Sequence, residues 1–327
     1  MEQTYFDSKR VGHGSVPLLD SFKCRRSNSE EQILVGRLGI KHLRGVRSFD
    51  NITRHIRALR CLEHPNILYL RDIIAIPSDR DSDEKASNGC GVDEFLLEAD
   101  FFATNMRRVI VGSSELTDLH VQYFLYQLLC ALKFMHHAGF YHEYLAPEDI
   151  LVNADCHLTI ANCCTVRLSD GVRTQIDTPG PICSEVRSNH HWYRSPEVLM
   201  SCKSPTSKSS IWSLGCIFFE LLTRKPLFPT HTIEKALRTI ASAVGAAGTA
   251  ALGALGCSAR AIAYVQRLPS PAENRLPALL GPRGPAAAAG LLVQLLRFDP
   301  AERPAAATAL GHEVRVCGRL RYGCTRL

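Results

Sequence analysis

The stretch His142-Glu143-Tyr144-Leu145-Ala146-Pro147-Glu148-Asp149 decides how the chain is read. It holds three carboxylates, a histidine and a proline, and it lies between two strong local patterns. Before it, Val121, Phe124, Leu125, Leu128, Leu129 and Leu132 recur at helical spacing, which predicts a helix from about Asp118 to His137. Thr117 is its expected N-cap and Gly139 its stop. After it, residues 150–152 and 158–160 are short apolar runs that predict a hairpin. The stretch is therefore an acidic loop between a long helix and a hairpin.

Further out, Gln32-Ile33-Leu34-Val35 and Leu38-Gly39-Ile40-Lys41 read as β-type segments, and Ile52, Ile56, Leu59 and Leu62 as a helix. Residues 77–94 are polar and glycine-containing, as expected of a solvated loop between strands. A second apolar helix is predicted over Ile211 to Leu222, and the Ala/Gly/Leu-rich stretches 241–257 and 284–293 read as weak helices. Strands early and helices late predict an α+β fold with a small β-rich lobe and a larger helical one.

The chain has 327 residues, 46% of them hydrophobic and 21% charged, and is long enough for a sizeable core. A net charge of +6 is too mild to suggest nucleic acid as a partner. No apolar run approaches the roughly 20 residues of a membrane span. The opening Met1-Glu2-Gln3-Thr4-Tyr5 lacks the features of a signal peptide. Thirteen cysteines without framework spacing predict reduced thiols in a cytoplasmic or nuclear protein.

Several motifs carry a family resemblance in order and spacing. They are Leu116-Thr117-Asp118 running into Tyr123-Phe124-Leu125-Tyr126-Gln127-Leu128-Leu129, His191-Trp192-Tyr193-Arg194-Ser195-Pro196-Glu197, Trp212-Ser213-Leu214-Gly215-Cys216-Ile217, Arg224-Lys225-Pro226-Leu227-Phe228-Pro229, and Phe298-Asp299-Pro300 with Arg303-Pro304. Together they resemble eukaryotic protein kinases of the mitogen-activated/cyclin-dependent group, most closely the mitogen-activated branch. The resemblance implies a bilobal kinase-like domain over residues 10–313, with an N-lobe to about 101 and a C-lobe from about 102. Residues 1–9 would be an extension and 314–327 a basic tail. It implies structural roles for His142 and Trp212, and a buried ion pair between Glu197 and Arg303. It also places Leu59, Leu70 and His142 in a stacked spine that Cys163 would underfill, and Ser210 where an aspartate braces the catalytic loop, a weakened brace.

Against the family pattern His-Arg-Asp-Leu-Lys-Pro-x-Asn, the stretch 142–149 keeps its frame and loses its chemistry. Tyr144 stands at the base, and a neutral phenol is a poor proton acceptor near neutral pH. Ala146 replaces the lysine and Asp149 the metal-holding asparagine. Twenty residues beyond His142, Asn162 replaces the magnesium-gripping aspartate. His55 occupies the glutamate position of the Lys–Glu pair. The glycine loop keeps Gly12 and Gly14 but has Pro17 at the third glycine. Lys41 is the candidate strand-3 lysine, with Arg37 competing. Ala99 falls at the back of the nucleotide pocket and Phe101-Phe102 at the connection between lobes.

The phosphorylation switch is also missing: Glu185 and Arg187 take the Thr-x-Tyr positions, and Glu143 replaces the arginine receiver. The resemblance thus predicts a kinase-shaped protein that transfers phosphate poorly, a pseudokinase. No metal is expected beyond a weak Asp149/Asn162 site, and no cofactor beyond ATP, with magnesium disfavoured. The expected partners are proteins, such as an active kinase or its substrate, with neither nucleic acid nor membrane. The alternatives are an atypical Ser/Thr kinase with relocated catalytic residues and a nucleotide-binding switch.

Overall fold

The computed structural model describes residues 5–13, 20–26, 32–39, 60–77, 92–142, 145–161, 166–168, 190–202, 206–271, 273–281 and 286–313. The first five strands, β1 (Tyr5–His13), β2 (Asp20–Arg26), β3 (Gln32–Gly39), β4 (Leu70–Pro77) and β5 (Val92–Asp100), form one antiparallel sheet in the order β1-β2-β3-β5-β4. β1 starts at Tyr5, inside the stretch expected as an extension. The two β-type segments around Val35 and Leu38 are one strand, because Gly36 and Arg37 continue the alternation across both faces. On one face Cys24, Ile33, Val35 and Leu96 form a satellite cluster. Leu97, Ala99 and Leu70 belong to the main core. Of residues 77–94, expected as a solvated loop, Pro77 ends β4 and Val92 to Glu94 open β5, while 78–91 lie outside the described residues.

The rest of the chain is helical. β6 (Thr104–Asn105) leads into α1 (Met106–Val111), and α2 (Asp118–His137) follows with the bounds read from the sequence. Thr117 caps α2 reciprocally: its hydroxyl accepts the His120 amide and its own amide donates to His120 Nδ1. Gly139 lies just past the end of α2 at φ +78°, a conformation a side chain disfavours. β7 (Phe140–His142) pairs with β10 (Val166–Leu168), while β6, β8 (Ile150–Val152) and β9 (Leu158–Ile160) form a small sheet that contains the expected hairpin.

Beyond these strands come α3 (Pro196–Leu199), α4 (Lys208–Thr223), α5 (Ile233–Val244), α6 (Thr249–Ala254), α7 (Ala259–Gln266), α8 (Leu276–Leu280), α9 (Ala286–Leu295) and α10 (Ala306–Leu310). α4 is buried without a break from Ser209 to Leu221, as an axial helix should be. At Gly215 a Cβ would lie 2.8 Å from Leu296 Cγ and 3.1 Å from Leu295 Cβ, so glycine sets how closely α4 meets the end of α9. No helix among the described residues is long and apolar enough to cross a membrane.

The segment before β4 is fastened to the helical body. The Leu68 amide donates to Ile160 O at 2.8 Å, and the Ile160 amide to Asn66 O at 2.9 Å. Buried Asn66 donates to Gln127 Oε1 and Leu158 O, and Gln127 donates to Cys156 O.

One cysteine expectation is corrected. Cys202 and Cys257, with Cα atoms 4.5 Å apart, form a disulfide rather than two reduced thiols. Sequence spacing could not reveal this, since 55 residues separate them and only the packing of α3 against the later helices brings them together.

Candidate active-site cleft and catalytic loop

The acidic loop runs from β7 through a 3-10 turn, Pro147–Asp149, into β8. His142 and Leu145 are fully buried. Ser210 on α4 grips the loop at both backbone groups of His142, its hydroxyl accepting the amide at 3.0 Å and donating to the carbonyl at 2.8 Å. Ser210 thus still ties the loop to α4, by one accepted and one donated neutral hydrogen bond in place of the charged acceptor of an aspartate.

Asp149, 1% exposed, is turned into the loop. Its Oδ2 accepts the Ala146 amide at 3.1 Å, its own amide donates to Ala146 O, and its carbonyl accepts the Ala161 amide. The carboxylate at the asparagine position therefore holds the turn closed. Ala146 is half-buried and brings no cation. Tyr144, Glu143 and Asn162 lie outside the described residues, as do Leu59, Cys163, Glu185 and Arg187, and with Asn162 the weak Asp149/Asn162 metal site lies outside them too. Among the described residues no group of three His, Cys, Asp or Glu side chains converges as metal ligands.

On the sheet side, Gly12 pairs with Ser21 just after an irregularity in the β1–β2 register. Gly14, Pro17, Lys41 and His55 fall outside the described residues, and β3 ends at Gly39, before Lys41. Arg37 makes a bidentate pair with Glu94, at 2.6 Å and 2.8 Å, along β3 and β5. The register sets Arg37 opposite Leu96, on the face of Ile33 and Val35. Ala99 pairs with Leu34, and Leu97 with Gly36, on the other face. Arg37 thus projects away from the Ala99 face and already has a counter-ion. Ala99 is buried, while Phe102 is half-buried with its ring stacked on His157, centroids 6.4 Å apart.

Below the loop, Arg303 fork-bonds Glu197, Nη1 to Oε1 at 2.7 Å and Nη2 to Oε2 at 2.8 Å, with both side chains fully buried. Ser209 donates to Glu197 Oε1. Arg303 also donates to the carbonyls of Arg297, Phe298 and Lys208, and its guanidinium lies 5.0 Å from the centroid of the Trp212 ring. Trp212 itself stacks on Phe228. Burial pushes the Glu197 carboxyl up, but the Arg303 charge and hydrogen bonds outweigh it and hold it below the usual carboxylate range. His136, at the end of α2, is pulled down to about 4 by burial and by Lys208, and its Nε2 is buried without a partner among the described residues.

A second buried network escaped the sequence reading. Arg107 on α1 donates through Nε to Glu148 at 2.8 Å and through its other nitrogens to Glu220 and Tyr193, while Tyr193 donates to Glu220 at 2.6 Å. Burial alone would lower the Arg107 pKa, but Tyr193, Glu148 and Glu220 more than offset this and raise it. The available signal was Glu220, a lone charge inside Ile217-Phe218-Phe219-Glu220-Leu221, which must find a cation once buried. Which cation it finds depends on contacts distant in sequence.

Comparison with known proteins accords with this architecture. A family model described as protein kinase domain matches residues 5–314. Mitogen-activated protein kinase homolog MMK2 of Medicago sativa is 30% identical over 312 residues, 93% of this chain and 76% of the relative. Mitogen-activated protein kinase 6 of Oryza sativa subsp. japonica is 32% identical over 310 residues, covering 92% and 74%, and mitogen-activated protein kinase 5 of Arabidopsis thaliana is 33% identical over 305 residues, covering 90% and 72%. With a β-sheet first lobe, a helical second lobe and its catalytic-loop frame in place, the chain belongs to the protein kinase family, among the mitogen-activated protein kinases.

Proposed function

We infer that this kinase domain works without efficient phosphoryl transfer, as a scaffold or allosteric modulator in intracellular signalling, cytoplasmic or nuclear. The observation that carries this reading is that the described carboxylates of the loop are already engaged. Glu148 is held by Arg107, and Asp149 accepts the Ala146 amide within its own turn. With Tyr144 at the base position and Ala146 at the lysine position, proton acceptance and charge neutralisation fail together, and such groups act as a unit. The Glu197–Arg303 and Ser210–His142 contacts keep the body folded for protein contacts. Its partners on this reading are proteins, an active kinase or its substrate.

The test is phosphate incorporation into a generic basic protein, with Lys41→Ala as control. Incorporation is expected to be on the order of a thousandfold or more below that of an active relative, and unchanged by the substitution. Lys41-dependent incorporation would sink the proposal in favour of relocated catalytic residues. Thermal melting with ATP, with and without magnesium, checks the nucleotide-switch reading. A magnesium-independent rise in Tm is its signature, and no shift at saturating ATP removes it.

A further inference from the structure

Cys202 and Cys257 occupy unlike environments. Cys202 is completely buried at the end of the turn after α3, where its amide donates to Glu197 O at 3.0 Å. Cys257 is half-buried after α6, where its amide donates to Leu252 O. Each follows a residue with positive φ, Ser201 at 53° and Gly256 at 67°, so both sulfurs sit on tight turns rather than inside helices. Of the other described cysteines, Cys24, Cys156 and Cys216 are buried, Cys130 is half-buried and Cys61 is exposed, and none is bridged. The bridge therefore joins the backbone that carries Glu197, and with it the Arg303 anchor, to the corner between α6 and α7.

We propose that the Cys202–Cys257 pair is a thiol-redox clasp, closed by a low-molecular-weight disulfide such as oxidised glutathione, that fixes the α3 segment to the α6–α7 corner. The accessible thiol is Cys257. Its thiolate attacks the small disulfide and releases one equivalent of small thiol, leaving a mixed disulfide on Cys257 Sγ. Cys202 then attacks Cys257 Sγ and displaces the second equivalent. The two protein thiols give up two electrons and two protons, which appear in the two small thiols. Opening is the reverse, and it too starts at the reachable Cys257 sulfur. Closed, the clasp covers the turn whose amide bonds Glu197. Open, that turn is held only by its hydrogen bonds.

The chain supplies its own readout. Trypsin releases Ser195–Lys203 and Thr239–Arg260, each with one cysteine, so the closed clasp appears as a single linked pair after alkylation of the folded protein. The linked pair should dominate in oxidised glutathione and fall roughly tenfold or more in reduced glutathione. Amide exchange over residues 196–202 should be slow when the pair is linked and faster when it is open. In Cys257→Ser exchange should be fast in both buffers, while Cys61→Ser should behave as the parent. The proposal is overturned if the linked pair never forms in the folded chain, if it persists undiminished in reduced glutathione, or if amide exchange ignores it. The parent titration decides alone should Cys257→Ser fail to fold.

Discussion

Arg303 shows how much one side chain can organise. Its fork on Glu197 and its bonds to three carbonyls use all five of its N–H donors, and the guanidinium lies in the dry interior. Removing one partner of such a pair strands a buried charge, at a cost of about 3–5 kcal/mol. Arg303→Met is accordingly expected to lower stability by about that amount in urea unfolding, and adding Glu197→Leu to it should recover part of the loss. A loss below about 1 kcal/mol would mean that the pair is not buried as described. Glu197 and Arg303 were legible in the sequence because the flanking motifs fix their places. Arg107 was not, since nothing around it in the chain points to Glu148, Tyr193 or Glu220. Ser210 was legible only in part: its residue type reveals the lost charge but not the two hydrogen bonds it makes to His142.

At the scale of elements, the long C-lobe helix was readable to its ends because cap, stripe and stop agree, whereas the β3 segments were not readable as one strand. A glycine beside an arginine looks like an interruption until the register shows the two on opposite faces. Helix packing adds a constraint that periodicity cannot express. Gly215 meets the Leu296 Cγ and the Leu295 backbone-side carbon, neither of which can swing away freely. Gly215→Ala is expected to destabilise the chain by about 1–3 kcal/mol, against the usual gain from placing alanine in a helix, as measured by the urea midpoint at constant slope. A neutral or stabilising result would show that α4 and the end of α9 stand further apart.

For the whole molecule, stability should fall in acid as the partly buried histidines, His136 the most strongly lowered among them, and then Glu197 take up protons. The folded His136 pKa of about 4 lies below its ordinary 6.5, so the unfolded chain binds the extra proton first. Its contribution is complete above about pH 6.5 and is lost as the pH falls towards 4, up to about 3 kcal/mol. Glu197, held below its ordinary 4.5, contributes above that pH and loses the contribution as the pH falls further. Denaturation across pH 7 to 4 should therefore show a stability decline that His136→Gln flattens, with the parent slope retained below 4.5. An unchanged slope in that variant would place the decline elsewhere.

The tie between the small sheet and the helical body also limits motion. Among the described residues the chain passes between the two at two places, on the way into β4 and on the way out of β5. The first is stapled just before β4 by the paired backbone of Asn66, Leu68 and Ile160 and by the Asn66–Gln127 bond. With one crossing pinned and the other only three residues long, Phe101 to Ala103, the sheet can swing about a line through both points but cannot slide along the body. Ala99 and Leu70, which flank those crossings and pair with each other, lie almost on that axis and hardly move, while the opposite ends of β4 and β5, at Pro77 and Val92, sweep the widest arc.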